Sequence, residues 1–404
     1  MIVSSAMKSL TAQPSKTLEA VPDPGGSTYA GRVVTRSKQS VSPESAKQVH
    51  TVYRCANGIS DDIASMPLKH YRRIDGRTTT VEPDAVIRNL AYLLEVSPNR
   101  WMTPFVLKKT VINWLLFWGN ALVWRPAPPA ARELFVLPIS STLPKLDEDG
   151  NLWYETRFPN GEKRMIPSVE VMSLMINSTN GVWGKSVLEY ARETIGQRVG
   201  MSETKSSILA NGLNPSAYIQ VSSLLNKDER QVYKDAYSEA MHDQGGLVVF
   251  DQKITKFEPI SMKLTDAEFL ENMNATDLEI ANFFKYPAYK LNMGKESYQS
   301  NEQQDLDYLK SCIDPLAVQW EQGARLRWLS EGEQKTDYIK FNRSAILRTN
   351  AKSRAELYEI EIRNGLLQPN EARGLEDRDS YPLGDAFYIT SNYAEVGASQ
   401  NATA

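Results

Sequence analysis

The chain has 404 residues, with 46 Lys and Arg against 49 Asp and Glu and a formal net charge of -3. At about 150 residues per domain this length suggests two or three structural units. With 41% hydrophobic and 24% charged residues the composition is globular, and the near-neutral balance excludes a protein that grips nucleic acid over its whole surface. Contact through one local surface stays open.

Residues 1–45 hold 20 Ser, Thr, Pro or Gly, so residues 1–44 read as a flexible arm too polar to offset its ordering entropy. No basic stretch leads into an apolar one at the start, so no secretory leader is expected. The most apolar run, Val111 to Trp124, is broken by Asn113 and Asn120 and is shorter than the roughly 20 residues a membrane helix needs. No membrane contact is expected, and the chain is expected in the cytoplasm when first made.

Folded structure is predicted from Ser45, with a helix carrying Val49, Val52, Ile59 and Ile63 on one face and Asp61-Asp62 on the other. A short strand follows at Leu68 to Tyr71, then a helix over about Asp84 to Glu95. The next helix runs from Thr103 to Trp118, stopped by Gly119-Asn120. Strands with turns at Asp149-Gly150 and Asn160-Gly161 make a small antiparallel sheet ending at Val169 to Ile176.

A long helix is expected from Lys185 to Asn211-Gly212. Its Gly196 and Gly200 are poor helix formers, which close packing against a neighbour would offset. A compact insert follows, with strands at 217–221, 247–250 and 254–259 around a helix at 227–241. The helix from Leu264 to Phe284 carries Asp266, Glu268, Glu271, Asp277 and Glu279 and no Lys or Arg up to that point. A polar loop, Pro287 to Ser297, leads into a long helix over Tyr298 to Leu329, bent at Pro315. A strand at Tyr338 to Phe341 and a helical region from Ala351 to Gly374 complete the chain.

Residues Thr179 to Ser186 come nearest to an enzymatic motif. Gly184-Lys185-Ser186 supplies the second half of a phosphate-binding loop. Thr179 stands where the first glycine belongs, and bulky Trp183 sits where backbone amides should approach phosphate. The plainer reading is a glycine-permitted turn into a helix. His50, His70 and His242 have no metal-ligand spacing among themselves or with Cys55 and Cys312, and the two thiols read as small buried hydrophobes. Asp61 and Asp62 point about 100° apart on a helix, so they do not form an acid–base pair. Nothing asks for catalysis, a metal or a cofactor.

The segment order resembles the portal proteins of tailed bacteriophages, in the branch serving icosahedral siphovirus-type capsids. The resemblance runs from about Ser45 to Tyr388. It rests on Val49 to Cys55 with Ile63-Ala-Ser-Met-Pro-Leu68, on Pro98-Asn99 with Met102-Thr103, and on Trp118-Gly-Asn-Ala121. Leu137-Pro138, Gly181 to Leu188, Asn211-Gly212 with Pro215, and Phe283 to Pro287 continue it. Tyr298 to Gln303, Ile313-Asp-Pro315, Arg363-Asn-Gly365 and Pro369 to Arg373 close it.

The resemblance implies an α+β portal-type protomer with a wing, a two-helix stem, a small αβ clip, a long kinked wing helix and a helical crown. Wing would be 45–184 and 298–345, the stem helices 185–212 and 264–286, and the clip 213–263. The tunnel loop would be 287–297, the crown 346–378 and a tail 379–404. It further implies a homo-oligomeric ring of about twelve copies at one vertex of the virion, passing double-stranded DNA without sequence preference. Expected partners are the packaging ATPase (the terminase large subunit), major capsid and scaffold proteins, and head–tail connectors. Lys290, Asn292, Lys295 and Ser297 would contact DNA at the tunnel loop. Asp266, Glu268, Glu271, Asp277 and Glu279 would form a repulsive channel wall, and Tyr218, Tyr233 and Tyr237 would serve partner binding at the clip. The competing classes are a packaging NTPase and another head–tail adaptor.

Overall fold

The fold was analysed in a computed structural model, which describes residues 19–20, 33–74, 77–126, 132–210, 216–221, 226–232, 235, 254–260, 266–293, 298–343, 351–376 and 378–389. The chain divides into two compact units, one of residues 1–64 and 68–341 and one of residues 65–67 and 342–404.

In the first unit, β1 (Glu19–Ala20) precedes β2 (Val33–Val34) and β3 (Ser40–Val41), which form a small antiparallel pair. The one-turn helix α1 (Pro43–Ala46) starts with a Ser42–Ser45 capping box. The sequence reading places a flexible arm over 1–44, but residues from 33 onward pack on the long helix Val187–Ala210. Thr35 and Val41 are buried, Arg36 N donates to Glu193 Oε2 at 3.0 Å, and Gln39 Nε2 reaches Glu203 Oε2 at 2.6 Å. A polar composition does not forbid order where a helix supplies acceptors.

Helix α2 (His50–Ser65) buries Val52, Cys55, Ala56, Ile59 and Ile63 along one stripe. β4 (Leu68–Ile74) pairs with β5 (Arg77–Thr80). The helix expected over 84–95 begins only at α3 (Leu90–Glu95). Asp84 Oδ1 accepts from Val86 N and Ile87 N, and Asn89 caps Tyr92 N at 2.9 Å. These side-chain acceptors hold residues 84–89 as a turn. Helix α4 (Pro104–Trp118) starts at Thr103, whose side chain caps Val106, and stops at Gly119 with φ 76°.

β6 (Asn120–Trp124) is the central strand of a three-stranded sheet, flanked by β7 (Phe135–Val136) and β11 (Val171–Met175). β8 (Thr142–Leu146), β9 (Leu152–Arg157) and β10 (Lys163–Pro167) form a meander joined at its β8 edge by β1. Between the two sheets, Leu122, Trp124, Leu137, Ile139, Tyr154, Ile166 and Val171 make one buried cluster.

Helix α5 (Val187–Ala210) and helix α6 (Asp266–Phe283) pack together, and β12 (Ser216–Val221) pairs antiparallel with β13 (Ile254–Ile260) in the insert between them. The expected strand at 247–250 lies outside the described residues. Beyond α6, α7 (Tyr298–Tyr308) and α8 (Asp314–Trp328) are joined by a π-helical turn, Leu309–Ile313. The bend expected at Pro315 therefore takes the form of a π-turn just upstream, where the proline's missing N–H leaves the helical ladder to reorganise. After a single turn, α9 (Glu333–Thr336), strand β14 (Asp337–Phe341) pairs with β4.

The second unit holds α10 (Ala351–Arg363) and α11 (Pro369–Leu375). Gly365, at φ 66°, turns the chain between them, and a Gln368–Glu371 capping box opens α11.

Candidate functional site

The segment expected to narrow a channel starts where α6 ends. Lys285 and Asn292 both adopt left-handed backbone, at φ 55° and 59°, and bracket a 3-10 turn over Ala288–Leu291. Left-handed non-glycine residues persist only where surroundings hold them, and here a network of six side chains surrounds the turn. Lys290 Nζ lies 2.9 Å from Asp62 Oδ2 and 4.2 Å from the centre of the Tyr308 ring. The Tyr308 hydroxyl donates to the same Asp62 oxygen at 2.9 Å. Tyr289 donates to Asp305. Tyr286 sits edge-on to Tyr308, with ring centres 5.7 Å apart, and lies so close to helix α2 that a Cβ at Gly58 would come within 2.3 Å of its hydroxyl.

Burial, reinforced by the Asp62 charge, pushes the Tyr308 phenol far above its ordinary range, and likewise raises Tyr286 to about 12. Both phenols therefore stay neutral donors at any physiological pH. Asp61 turns away to Lys109 Nζ at 2.6 Å, so the adjacent carboxylates serve different partners.

This arrangement changes the role of one expected DNA contact. Lys290 is tied to Asp62 at the root of the loop, with its side chain only 21% exposed, and does not project from it. Asn292 is exposed and caps the turn. Lys295 and Ser297 lie outside the described residues. Pattern alone singles out none of Gly58, Tyr289, Asp305 and Tyr308, and Asp62 only as half of an Asp61–Asp62 pair, because their partners are remote in sequence. The one available signal was Gly58, a poor helix former in the middle of a strong amphipathic helix.

Of the five acids of the expected wall, Glu271 and Glu279 are exposed on α6. Asp277 is a correction. Only 2% exposed, it accepts from Arg198 Nε at 3.0 Å and from Thr51 Oγ1 at 2.5 Å. Arg198 also reaches Ser202 Oγ at 2.7 Å. Asp277 thus joins α6 to α5 and to α2, and a buried carboxylate so engaged cannot face a channel. Asp266 and Glu268 belong to α6, and Tyr218 to β12, but their side chains lie outside the described residues, as do Tyr233 and Tyr237.

The Thr179–Ser186 turn is equally informative. Val182 N and Trp183 N donate to Asn180 Oδ1, Gly184 N donates to Asn120 Oδ1 at 2.7 Å, and Lys185 N donates to the Ile176 carbonyl. A Cβ at Gly184 would fall 2.4 Å from the Gly119 carbonyl oxygen. Lys185 Nζ lies 3.5 Å from Glu189. Amides that would cradle phosphate are already consumed by the protein, so the turn is structural. Among the described residues no group of His, Cys, Asp and Glu could hold a metal, and no helix is long and apolar enough to cross a membrane.

A two-helix hairpin carrying a small insert, set on small antiparallel sheets and followed by a long interrupted helix, defines a mixed α+β fold. Comparison with known families then specifies it. The family described as phage portal protein matches residues 50–377, and the chain belongs to that family, whose members are structural rather than enzymatic. It is 25% identical to the probable portal protein of Streptomyces phage phiC31 over 396 residues, 92% of this chain and 84% of that one. It is also 25% identical to the portal protein of Enterobacteria phage HK97 over 366 residues, covering 88% and 85%. Among solved structures it resembles an HK97 family phage portal protein from Corynebacterium diphtheriae, with TM-score 0.56 at 16% identity over 79% of this chain and 98% of that one. It also resembles a chain in the neck of a native gene transfer agent particle computed with C12 symmetry, with TM-score 0.53 at 19% identity over 82% and 90%.

Proposed function

We propose that about twelve copies of this chain close a ring at one vertex of a phage capsid, and that double-stranded DNA enters and leaves through it. The observation that carries this reading is the portal-family match over residues 50–377, and the C12 neck that contains a similar chain supports the subunit number. The paired helices α5 and α6 would form the stem. Glu271 and Glu279, with Asp266 and Glu268, would give a negative wall along which a polyanion slides, since phosphate-gripping cations would hold it. The insert would be the clip that meets the terminase large subunit during packaging and connector proteins afterwards, with Tyr218, Tyr233 and Tyr237 as contacts of a residue type enriched at interfaces. Lys295 and Ser297 would touch the DNA backbone at the tunnel loop, with Lys290 fixing the loop's root. Major capsid and scaffold proteins would surround the wing, with assembly in the host cytoplasm.

Two measurements test this. Native mass spectrometry with negative-stain imaging, in the presence of the phage scaffold, should give a closed ring of about a dozen subunits around a hole. A chain that stays monomeric there overturns the ring. Packaging of phage carrying Glu271→Lys and Glu279→Lys should slow and grow more sensitive to salt. An unchanged rate and salt response would refute the repulsive wall while leaving the ring intact.

A further inference from the structure

Strand β14 packs against helix α8, and alternation along the strand decides which of its side chains stay open. Asp337, Ile339 and Phe341 turn under the helix and are 1–3% exposed, while Tyr338 and Lys340 turn the other way. Between strand and helix runs an open groove of about 450 Å³.

Four exposed cations line it: Arg73 from β4, Arg325 from α8, Lys335 from α9 and Lys340 from β14. Among the described residues none of them is in an ion pair. Arg325 is held in position by donating from Nη2 to the Gln334 carbonyl. The two acids of the lining are engaged elsewhere. Asp337 is buried against Arg72 and His70, and Glu321 accepts from the Phe341 amide at 2.7 Å. The groove therefore carries uncompensated positive charge in a chain of net charge -3. Apart from half-buried Tyr338 and buried Ile339, no side chain of the lining is apolar. Such a surface lacks the desolvated apolar centre on which a docked protein anchors. It suits a hydrated polyanion met through its charges.

We propose that this groove binds the phosphate backbone of double-stranded DNA without reading its sequence. Arg73 and Arg325 can each offer paired N–H donors to a phosphate, and Lys335 and Lys340 meet it as point charges. The Tyr338 hydroxyl and the Gln322 amide add neutral donors of the kind that position a backbone. None of the four cations belongs to α6 or the loop after it, so this grip is separate from the repulsive wall proposed there. The inference rests on the proposed conduit only for its source of DNA. Its test reads binding by the purified chain, so failure to form a ring would not decide it, and its own failure would leave the ring intact.

The test uses the full chain and a fluorescent duplex of about 20 base pairs, read by anisotropy between about 50 and 200 mM salt. Saturable binding with Kd below about 100 μM is expected at the lower salt, weakening steeply as salt rises. Lys335→Gln/Lys340→Gln, at exposed positions and checked for folding by circular dichroism, should flatten the plot of log K against log salt by about 1.8, two contacts at about 0.9 each. Its loss of affinity relative to the parent should therefore shrink about tenfold across that salt range. Arg100→Gln/Lys163→Gln removes two exposed charges outside the groove and should leave the slope unchanged. No saturable binding, or an unchanged slope in the groove variant, overturns the proposal. Equal flattening by both pairs overturns it in favour of a solvated cluster that adds only to net charge. Polyglutamate that displaces the duplex at a lower charge concentration, and loses this ability against the groove variant, overturns it in favour of an acidic protein.

Discussion

Replacing Asp62 with Ala removes one carboxylate and orphans two donors, Lys290 and Tyr308, at the root of the loop that follows α6. Lys290 keeps access to water, since its side chain is 21% exposed. Losing its part-buried ion pair should cost about 1 kcal/mol. Tyr308 has no such recourse, being 2% exposed, and its phenol stays protonated. Leaving that hydroxyl unpaired adds about 1–3 kcal/mol, for a total of about 2–4 kcal/mol. Asp62→Asn keeps an acceptor for Tyr308 and should cost only about 1 kcal/mol. The decisive variant is Asp62→Ala/Tyr308→Phe. Removing both partners abolishes the orphan, so the double variant should be more stable than Asp62→Ala alone by about 1 kcal/mol or more. Urea unfolding of the unassembled chain, followed by fluorescence, reads these differences. The reasoning fails if Asp62→Ala lies within about 0.5 kcal/mol of the parent chain, or if the added Tyr308→Phe destabilises further.

Three further outcomes follow from the same geometry. Gly58→Ala should destabilise by about 1–3 kcal/mol in urea unfolding despite the better helix former, because the new methyl meets the Tyr286 ring; a gain would refute the contact. Gly196→Ala should loosen the packing of residues 33–41, since its Cβ would lie 2.7 Å from Thr35 Cγ2, while Gly200→Ala, 4.0 Å from its nearest neighbour, should be neutral or stabilising. Limited proteolysis of the arm separates the two, and equal cleavage would count against the packing. For pH, burial pushes the His70 imidazole below its ordinary value against the pull of Asp337. The folded state therefore resists protonating it, and stability falls as pH drops below roughly 6.5. Burial alone would raise Asp337, but hydrogen bonds from Arg72 and Thr336 with the Arg72 charge outweigh it and hold the carboxyl low. Its contribution is present above roughly pH 4 and is lost as pH falls through the lower folded value. Between about pH 7 and pH 5 the His70→Gln chain should then lose less stability than the parent, and parallel curves in urea titrations would show that His70 is not the titrating group.

Local chemistry was legible wherever a residue's partner lies near it in sequence. Thr103 and Gly119 mark element ends that the chain realises, and the interrupted glycine pattern at Thr179–Ser186 reads as a turn, here closed by Asn180 and Asn120. Val86 and Ile87 fall inside the helix expected from Asp84 but are exposed, at 85% and 55%, because Asp84 and Asn89 compete for the amides a helix would need. Residues 33–41, which composition assigns to the arm, are ordered for the opposite reason, since composition measures what a segment can bury alone and not what α5 offers it at Glu193 and Glu203.

The acidic helix shows the limit most sharply. Five carboxylates without a cation read as one negative surface, but charge sign along a helix does not reveal which residues turn inward. Asp277 does, and its Arg198 partner sits 79 residues away across the whole insert. The Lys290–Asp62 pair spans 228 residues. Both contacts join α2 to the α6 side of the molecule, one at mid-helix through Thr51 and Asp277, the other beyond its end through Asp62, Lys290 and Tyr308. Charges that look like a channel lining and a DNA contact are in part the fastenings that hold α6 and the loop after it to α2 and α5. In the proposed DNA conduit, a firmly rooted loop would serve sliding better than a lysine that grips phosphate.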